Sequence, residues 1–395
     1  MTTQVTSRLD ERTRDIIKST VPVLAEHGEA ITTHFYKRMF EDHPELKNMF
    51  NMTHQKVGKQ PRALANAVYA AAQNIDDLSA IAPAAETIAE KHVNLNIQPE
   101  HYPIVGEYLL KAIKEVLGDA VNDEIITAWG EAYGEIADVF IQIEKKKYAE
   151  SAWTGYRNFN VEKKVKESEE ITSFYLLPEN GGSLPFYRPG QYIGLKADIP
   201  GYPYTQLRQY SLSDAPGEEY LRISVKRESG TDELPAGLVS TWLHDQVQEG
   251  DVLPLSAPAG DFYLDESGKL PVVLLSGGVG VTPLMSMYKK IREERDVYFI
   301  HAARNGGVHG LKEEMSGSRT YVIYETPSEE DKTMGAFHKA GYVDLDWLRT
   351  VVPKEADFYF CGPEGFMRAM NGSLHEWGIP EENINYEFFG PKGNI

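Results

Sequence analysis

The sequence is nearly without cysteine: Cys361 stands alone among 395 residues. No internal disulfide can form, so stability must come from packed cores, and a reducing cytoplasm is the expected setting. No apolar run approaches the ~20 residues that span a bilayer. The opening stretch, MTTQVTSRLDERTRD, is polar and acidic, unlike a secretory leader. Basic charge is in short supply, with 40 Lys and Arg against 59 Asp and Glu and a formal net charge of −19. That balance argues against nucleic acid as a partner, because a phosphate backbone is held by basic surface. It favours a soluble monomer. Internal repeats and low-complexity tracts are also missing, which sets aside solenoids, propellers and long linkers.

With 42% hydrophobic and 25% charged residues, the composition is globular, and the length suggests roughly two or three domains. Residues 1–150 read as all-α. Apolar residues recur at three and four in RDIIKSTVPVLAEHG, THFYKRMF, RALANAVYAAA and YPIVGEYLLKAIKEVL. Breaks are expected at Gly28, His43-Pro44, Pro83, Pro99 and Gly118, with Pro83 and Pro99 suited to the first turn of a helix. Asn122, ahead of Asp123 and Glu124, marks a helix start, and that helix ends in KKKY, where cations favour the dipole. Across 151–265 the rhythm turns to short β-rich runs, TSFYLLP, GQYIGLKAD, RQYSLSD and YLRISVKRE, spaced as in a small antiparallel barrel and interrupted by the helix-like LVSTWLHDQV. Across 266–395 it turns to βαβ, with PVVLLS, DVYFIHAA, TYVIYE and DFYFCG as buried strands of a doubly wound parallel sheet.

GGVGVTP lies between a buried strand and a helix, where glycines admit a pyrophosphate and the helix start offers N–H donors. Thr282 is suited to cap that helix. A tight turn without a ligand fits the same residues. In RQYSLS, alternation puts Arg208 and Tyr210 on one strand face and Gln209 and Ser211 on the other. An arginine can fork onto phosphate and a tyrosine can stack on a flat ring, although a surface arginine and a core tyrosine also satisfy the pattern.

RPGQY, RQYS, GVGVTP, CGPEGFM and the C-terminal YEFFGP, in this order, resemble the ferredoxin–NADP reductase superfamily. The resemblance implies that Arg208, Gln209, Tyr210 and Ser211 hold FAD, with Tyr192 and the segment Glu387, Phe388, Phe389, Gly390 and Pro391 beside it. Gly237, Leu238, Val239 and Ser240 would add a pyrophosphate contact. Gly278, Val279, Gly280, Val281, Thr282 and Pro283, with Cys361, Gly362 and Pro363, would hold NADH or NADPH. Cys361 would line the nicotinamide pocket, or else be a small buried apolar residue. Arg304 can pair with a 2′-phosphate or be a solvated arginine, so the choice of nucleotide stays open.

Six of the 11 histidines, 27, 34, 43, 54, 92 and 101, fall in residues 1–150, and residue type alone does not separate them. THFYKRMF, HPELKNMFN, KHVNLNIQPEHY and AWGEAYG resemble the globin domain of flavohaemoglobins over nearly its whole length. The resemblance implies that His92 ligates haem iron from the proximal side, with Tyr102 and Glu144 behind it. Tyr36, Gln60 and Leu64 would form the distal side, and Phe50 would wedge the haem. Pro61 directly follows Gln60, so the distal helix is expected to begin near Gln60.

Together the two resemblances imply a nitric oxide dioxygenase. NAD(P)H reduces FAD, FAD reduces haem b, and nitric oxide and oxygen become nitrate, with Lys91 and Glu387 either an electrostatic link between the cofactor sides or two separate surface charges. Two rivals remain at this stage: an oxygen or nitric oxide sensor, and a haem-flavin reductase of other acceptors.

Overall fold

Caps and buried stripes decide where the elements begin. Asp10 accepts a hydrogen bond from the Thr13 N–H at 2.7 Å and opens α1 (Glu11–Asp42). Asn122 does the same for Ile125 at 2.9 Å and opens α5 (Asp123–Glu150). In the computed structural model, which describes residues 8–50, 55, 58–230 and 235–389, the chain forms two compact units. One is built from residues up to Gly155 with Pro200–Leu207, the other from Tyr156–Ile199 and from Arg208 onward.

The first unit is helical. Besides α1 and α5 it has α2 (Lys59–Gln73), α3 (Ala82–Asn94) and α4 (His101–Leu117). These enclose a core of Ile17, Ile31, Phe35, Met39, Ile75, Ala112 and Trp129. The break expected at Gly28 does not occur, and α1 runs through both Pro22 and Gly28. Ile17, Leu24, Gly28, Ile31 and Phe35 form one buried stripe at helical spacing, and its burial outweighs the ~1 kcal/mol that an interior glycine costs. Pro83 does occupy the first turn of α3. Pro99 lies ahead of α4, which starts at His101. Helix α2 starts at Lys59 after Gly58, so Pro61 falls in its first turn, where its missing N–H has no helical partner to lose.

The second unit holds an antiparallel barrel and a parallel sheet. The barrel strands are β1 (Tyr156–Lys166), β2 (Ile171–Pro178), β3 (Tyr192–Ala197), β4 (Gln206–Ser211), β5 (Leu221–Lys226) and β6 (Val252–Ser256). Their order is β4-β3-β6-β1-β2-β5, and a bridge between Leu212 and Ile223 brings the two edges together, so the barrel nearly closes. Helix α6 (Leu238–Asp245) interrupts the strands. Its end is capped by Lys164, whose Nζ donates to the carbonyls of Leu243, His244 and Val247 at 3.1, 2.7 and 2.8 Å.

The parallel sheet comprises β7 (Val272–Gly277), β8 (Val297–Ala303), β9 (Thr320–Tyr324), β10 (Lys339–Ala340), β11 (Asp357–Cys361) and β12 (Ile384–Glu387), in the order β10-β9-β8-β7-β11-β12. All six residues of β7 are buried, as expected of a strand covered on both faces. Helix α7 (Val281–Ile291) packs on one face. After the short α8 (Glu329–Met334), α9 (Leu345–Val351) and α10 (Glu364–Trp377) pack on the other. Strand order reverses between β7 and β11, which makes the carboxyl ends of these two strands the place for a ligand.

Candidate functional site

His92 lies in the last turn of α3, and the helix end itself fixes it. Asn96 takes a left-handed φ of 58°, a conformation asparagine tolerates. Ile97 N–H then donates to the His92 carbonyl at 2.9 Å and Asn96 N–H to that of Val93 at 3.0 Å, a Schellman ending. On the ring, Nδ1 lies 2.7 Å from Glu144 Oε1 and 3.3 Å from the Tyr102 hydroxyl, which itself donates to Glu144 at 2.5 Å. Glu144 is 1% exposed. A carboxylate only accepts, so Nδ1 carries the proton and Nε2 keeps its lone pair. Among the described residues nothing bonds Nε2. Burial, and then the bond to Glu144, push the Tyr102 phenol well above its ordinary pKa. Tyr133 donates to the Tyr102 carbonyl at 2.7 Å and packs so tightly on Gly106 that a Cβ there would meet its ring at 2.5 Å.

Tyr36 is buried on α1, in an aromatic group with Phe40 and Phe50, whose ring centroids are 5.8 and 5.7 Å away. Burial raises its pKa, and the side chains of Gln60 and Gln55 beside the hydroxyl oppose this without outweighing it. The phenol therefore stays protonated. Gln60 and Leu64 are half-buried in the first turns of α2, and Thr32 Oγ1 ties that helix start to α1 through the Pro61 carbonyl at 2.8 Å. Among the described residues, Nε2 of Gln55 is buried with no hydrogen-bond partner. An orphaned donor near Tyr36 and an uncommitted imidazole nitrogen on His92, in one helical unit, suit a haem with a polar ligand.

In the second unit, Arg208 and Tyr210 are half-buried on β4, Gln209 is exposed and Ser211 is buried. Tyr192 is buried at the start of β3, its N–H donating to Ala259 at 3.0 Å. Gly237 opens α6, and the first-turn N–H groups of Leu238, Val239 and Ser240 have no helical partner. The Ser240 hydroxyl is not available with them. It donates to the Gly237 carbonyl and accepts from Glu228 N–H, both at 3.1 Å, so only backbone N–H groups remain for a pyrophosphate.

Gly278 and Val279 form a single turn between β7 and α7, at the point of strand reversal. A Cβ on Gly280 would lie 2.1 Å from the Cys361 carbonyl oxygen, so only glycine lets this loop close on β11, whereas a Cβ on Gly278 would meet nothing within 4 Å. That open side is a cradle a ligand can fill. Val281, Thr282 and Pro283 form the first turn of α7. Thr282 does not cap it. Its hydroxyl donates to the Val279 carbonyl at 3.0 Å, and Gly280 holds the cap position. Gly362 and Pro363 follow β11, and Pro363 precedes α10. Cys361 is 0% exposed within the core, and burial, then Glu387, push its thiol pKa up. Arg304 is ion-paired with Glu170 rather than simply solvated.

Glu387 ends β12, Phe388 is half-buried and Phe389 is 44% exposed, while Gly390 and Pro391 lie outside the described residues. Lys91 precedes His92 on α3 in the first unit. Sequence reasoning missed Gln55 and Phe140, whose ring centroid lies 6.0 Å from that of His92. Phe140 was findable, because it stands one helical turn before Glu144 and shares its face. Gln55 carried no such signal.

Comparison with known proteins agrees with this layout. Residues 33–140 match the Globin family, 158–263 the oxidoreductase FAD-binding domain and 274–372 the oxidoreductase NAD-binding domain. The chain is 53% identical to a flavohemoprotein of Halalkalibacterium halodurans, with 99% of each covered, and 49% identical to that of Bacillus subtilis, over 97% of this chain and 98% of the other. A flavohemoglobin structure from Malassezia yamatoensis with bound FAD and heme superposes with a TM-score of 0.82 at 30% identity, covering 97% of this chain and 100% of that one. The FAD/NAD-binding domain of a Vibrio cholerae nitric oxide dioxygenase gives 0.54 at 38% identity, covering 60% of this chain and 100% of that one. Haem, FAD and a nicotinamide nucleotide are the cofactors of these three domains, and the chain belongs to the flavohemoprotein family.

Proposed function

We propose that the chain is an NAD(P)H-dependent nitric oxide dioxygenase. What carries this reading is the pairing, within one helical unit, of a carboxylate-backed histidine and a buried tyrosine kept neutral by its surroundings. Bound haem supplies the oxygen chemistry, with electrons passed from the nucleotide through FAD. His92 would hold the haem iron through Nε2, and the Nδ1–H bond to Glu144 would make it a stronger donor than an unsupported imidazole. Such a push favours activating oxygen over merely carrying it. On the distal side Tyr36 donates a hydrogen bond from a fixed position, with Gln60 and Gln55 as further polar groups, and Leu64 and Phe50 exclude water.

In the reductase, Arg208, Gln209, Tyr210 and Ser211 hold FAD with Tyr192 and the Glu387–Phe389 segment, and the start of α6 receives its pyrophosphate. The Gly278–Pro283 turn and the Cys361–Pro363 backbone receive the nucleotide. The Vibrio cholerae neighbour, described as a nitric oxide dioxygenase, supports the assignment.

The test uses the full chain loaded with FAD and haem. NAD(P)H oxidation is followed under air before and after adding nitric oxide, and nitrate is assayed. Fast, nitric-oxide-dependent oxidation with nitrate formed is the expected result. Oxidation that ignores nitric oxide, or yields no nitrate, overturns the dioxygenase reading and leaves a haem-flavin reductase with another acceptor.

A further inference from the structure

Asp214 is 0% exposed and lies three residues beyond Ser211, just past the flavin-side strand β4. Its partners come from both halves of the reductase. From the barrel, Arg222 of β5 approaches Oδ2 at 3.4 Å, Tyr220 donates to the same oxygen at 3.0 Å, and Tyr187 donates to the Asp214 carbonyl at 2.8 Å. From the nucleotide domain, Lys289 of α7 pairs with Oδ1, and Ser286 of the same helix donates to the Asp214 carbonyl at 2.6 Å. Glu314 closes the ring, receiving Arg222 at 2.6 and 3.1 Å and Lys289 at 3.0 Å. Two cations and two anions thus balance within one cluster.

Stability alone does not account for it. Burying ions is costly, and replacing a buried ion pair by apolar groups is often neutral or favourable. What such a cluster adds is direction. Helix α7 begins at the Gly278–Pro283 turn, so Ser286 and Lys289 stand on the same rigid rod as the nucleotide-binding loop. Asp214 is joined as directly to Ser211. We infer that the Asp214–Arg222–Lys289–Glu314 cluster is a positioning device for hydride transfer, locking the nucleotide helix to the flavin strand so that nicotinamide and flavin meet at reacting distance. The inference rests on the cofactor assignment above. In the step concerned, the C–H bond at nicotinamide C4 breaks and its electron pair moves with the hydrogen to flavin N5. The nucleotide leaves as NAD(P)⁺, and the reduced flavin keeps the added pair.

The experiment uses the full FAD- and haem-loaded chain. Lys289 is 21% exposed, so Lys289→Met sheds one charge at the cluster's edge. The double variant Asp214→Asn/Lys289→Met removes one charge of each sign and leaves no lone buried ion. Four quantities are measured: bound FAD, the NADH dissociation constant from flavin fluorescence quenching, the melting temperature, and single-turnover flavin reduction by NADH and by NADH deuterated at C4. We expect FAD content and NADH affinity to stay within about twofold, while reduction slows about tenfold or more, the scale of a small misplacement of reacting groups. The isotope effect should change, and Lys289→Arg should restore the rate. A lowered melting temperature with unchanged reduction rate and isotope effect would overturn the inference and leave a purely structural cluster. Failure of the unsubstituted chain to bind FAD, or to accept the hydride from either NADH or NADPH, would instead overturn the cofactor assignment.

Discussion

At His92 the placement of one proton decides what the residue can offer. The bond from Nδ1–H to Glu144 fixes the tautomer, and both Tyr102 and His92 converge on the same carboxylate oxygen. Glu144→Gln keeps an acceptor but removes the charge. Nitric oxide turnover should fall about tenfold or more, in line with other losses of a histidine's outer partner, and the haem midpoint potential should rise. An unchanged potential, measured by spectroelectrochemical titration, would remove the charge from the account. On the distal side, Tyr36→Phe deletes the donor without opening a cavity. A hydrogen bond of about 1 kcal/mol predicts oxygen release several-fold faster by flash photolysis, and slower nitrate formation. Turnover that stays at the level of the unsubstituted protein would sink the role of Tyr36.

At the scale of elements, what the sequence shows depends on how local the cause is. The cap at Asn122 and the start of α2 near Gln60 were readable because a cap or a proline acts within one turn. Gly28 misled, because the burial that carries α1 through it comes from other helices. Thr282 misled in the opposite way. Its residue type fits a cap, but Gly280 must occupy that place to let the loop close on Cys361. Packing of α4 on α5 gives a prediction at this scale. Gly106→Ala would drive a methyl into the Tyr133 ring, at a cost of about 1–3 kcal/mol as for other overpacked contacts. Because Tyr133 holds the Tyr102 backbone, the strain should reach His92. Chemical denaturation should show the loss of stability, and the haem absorbance should shift. A variant as stable as the parent would mean that the two helices separate freely.

Over the whole molecule the order of helical, barrel and doubly wound parts was legible because the hydrophobic period changes from one part to the next. The ion cluster of the reductase was not, since Asp214 and Lys289 meet only through the fold. The two units also differ in their titratable interiors, and this predicts different responses to acid. His301 and His309 are buried in the second unit with ring centroids 4.4 Å apart. Burial lowers the pKa of His309 to about 4 and that of His301 well below its ordinary value, and it lowers that of half-buried His244. In the unfolded chain each would take a proton near pH 6.5. The unfolded state therefore binds more protons between about pH 6.5 and 4, and stability present above that window is lost as pH falls through it. For His309 the full loss is roughly 3 kcal/mol, of which roughly 1 is spent by pH 5.5. Glu167, raised by burial, and His375, raised by its hydrogen bonds, pull the other way. In the first unit the shifted carboxylates Asp10, Glu45, Asp77 and Glu115 are exposed and lowered, so their contribution fades only below about pH 4. Melting followed by FAD fluorescence should therefore drop between pH 7.5 and 5.5, while melting followed by haem absorbance should move less. His309→Gln keeps a hydrogen-bonding side chain toward Tyr324 and removes the titration, so it should flatten the flavin curve. If both signals fall together in the parent, or the variant keeps the full slope, the buried histidines do not set the acid limit of the reductase.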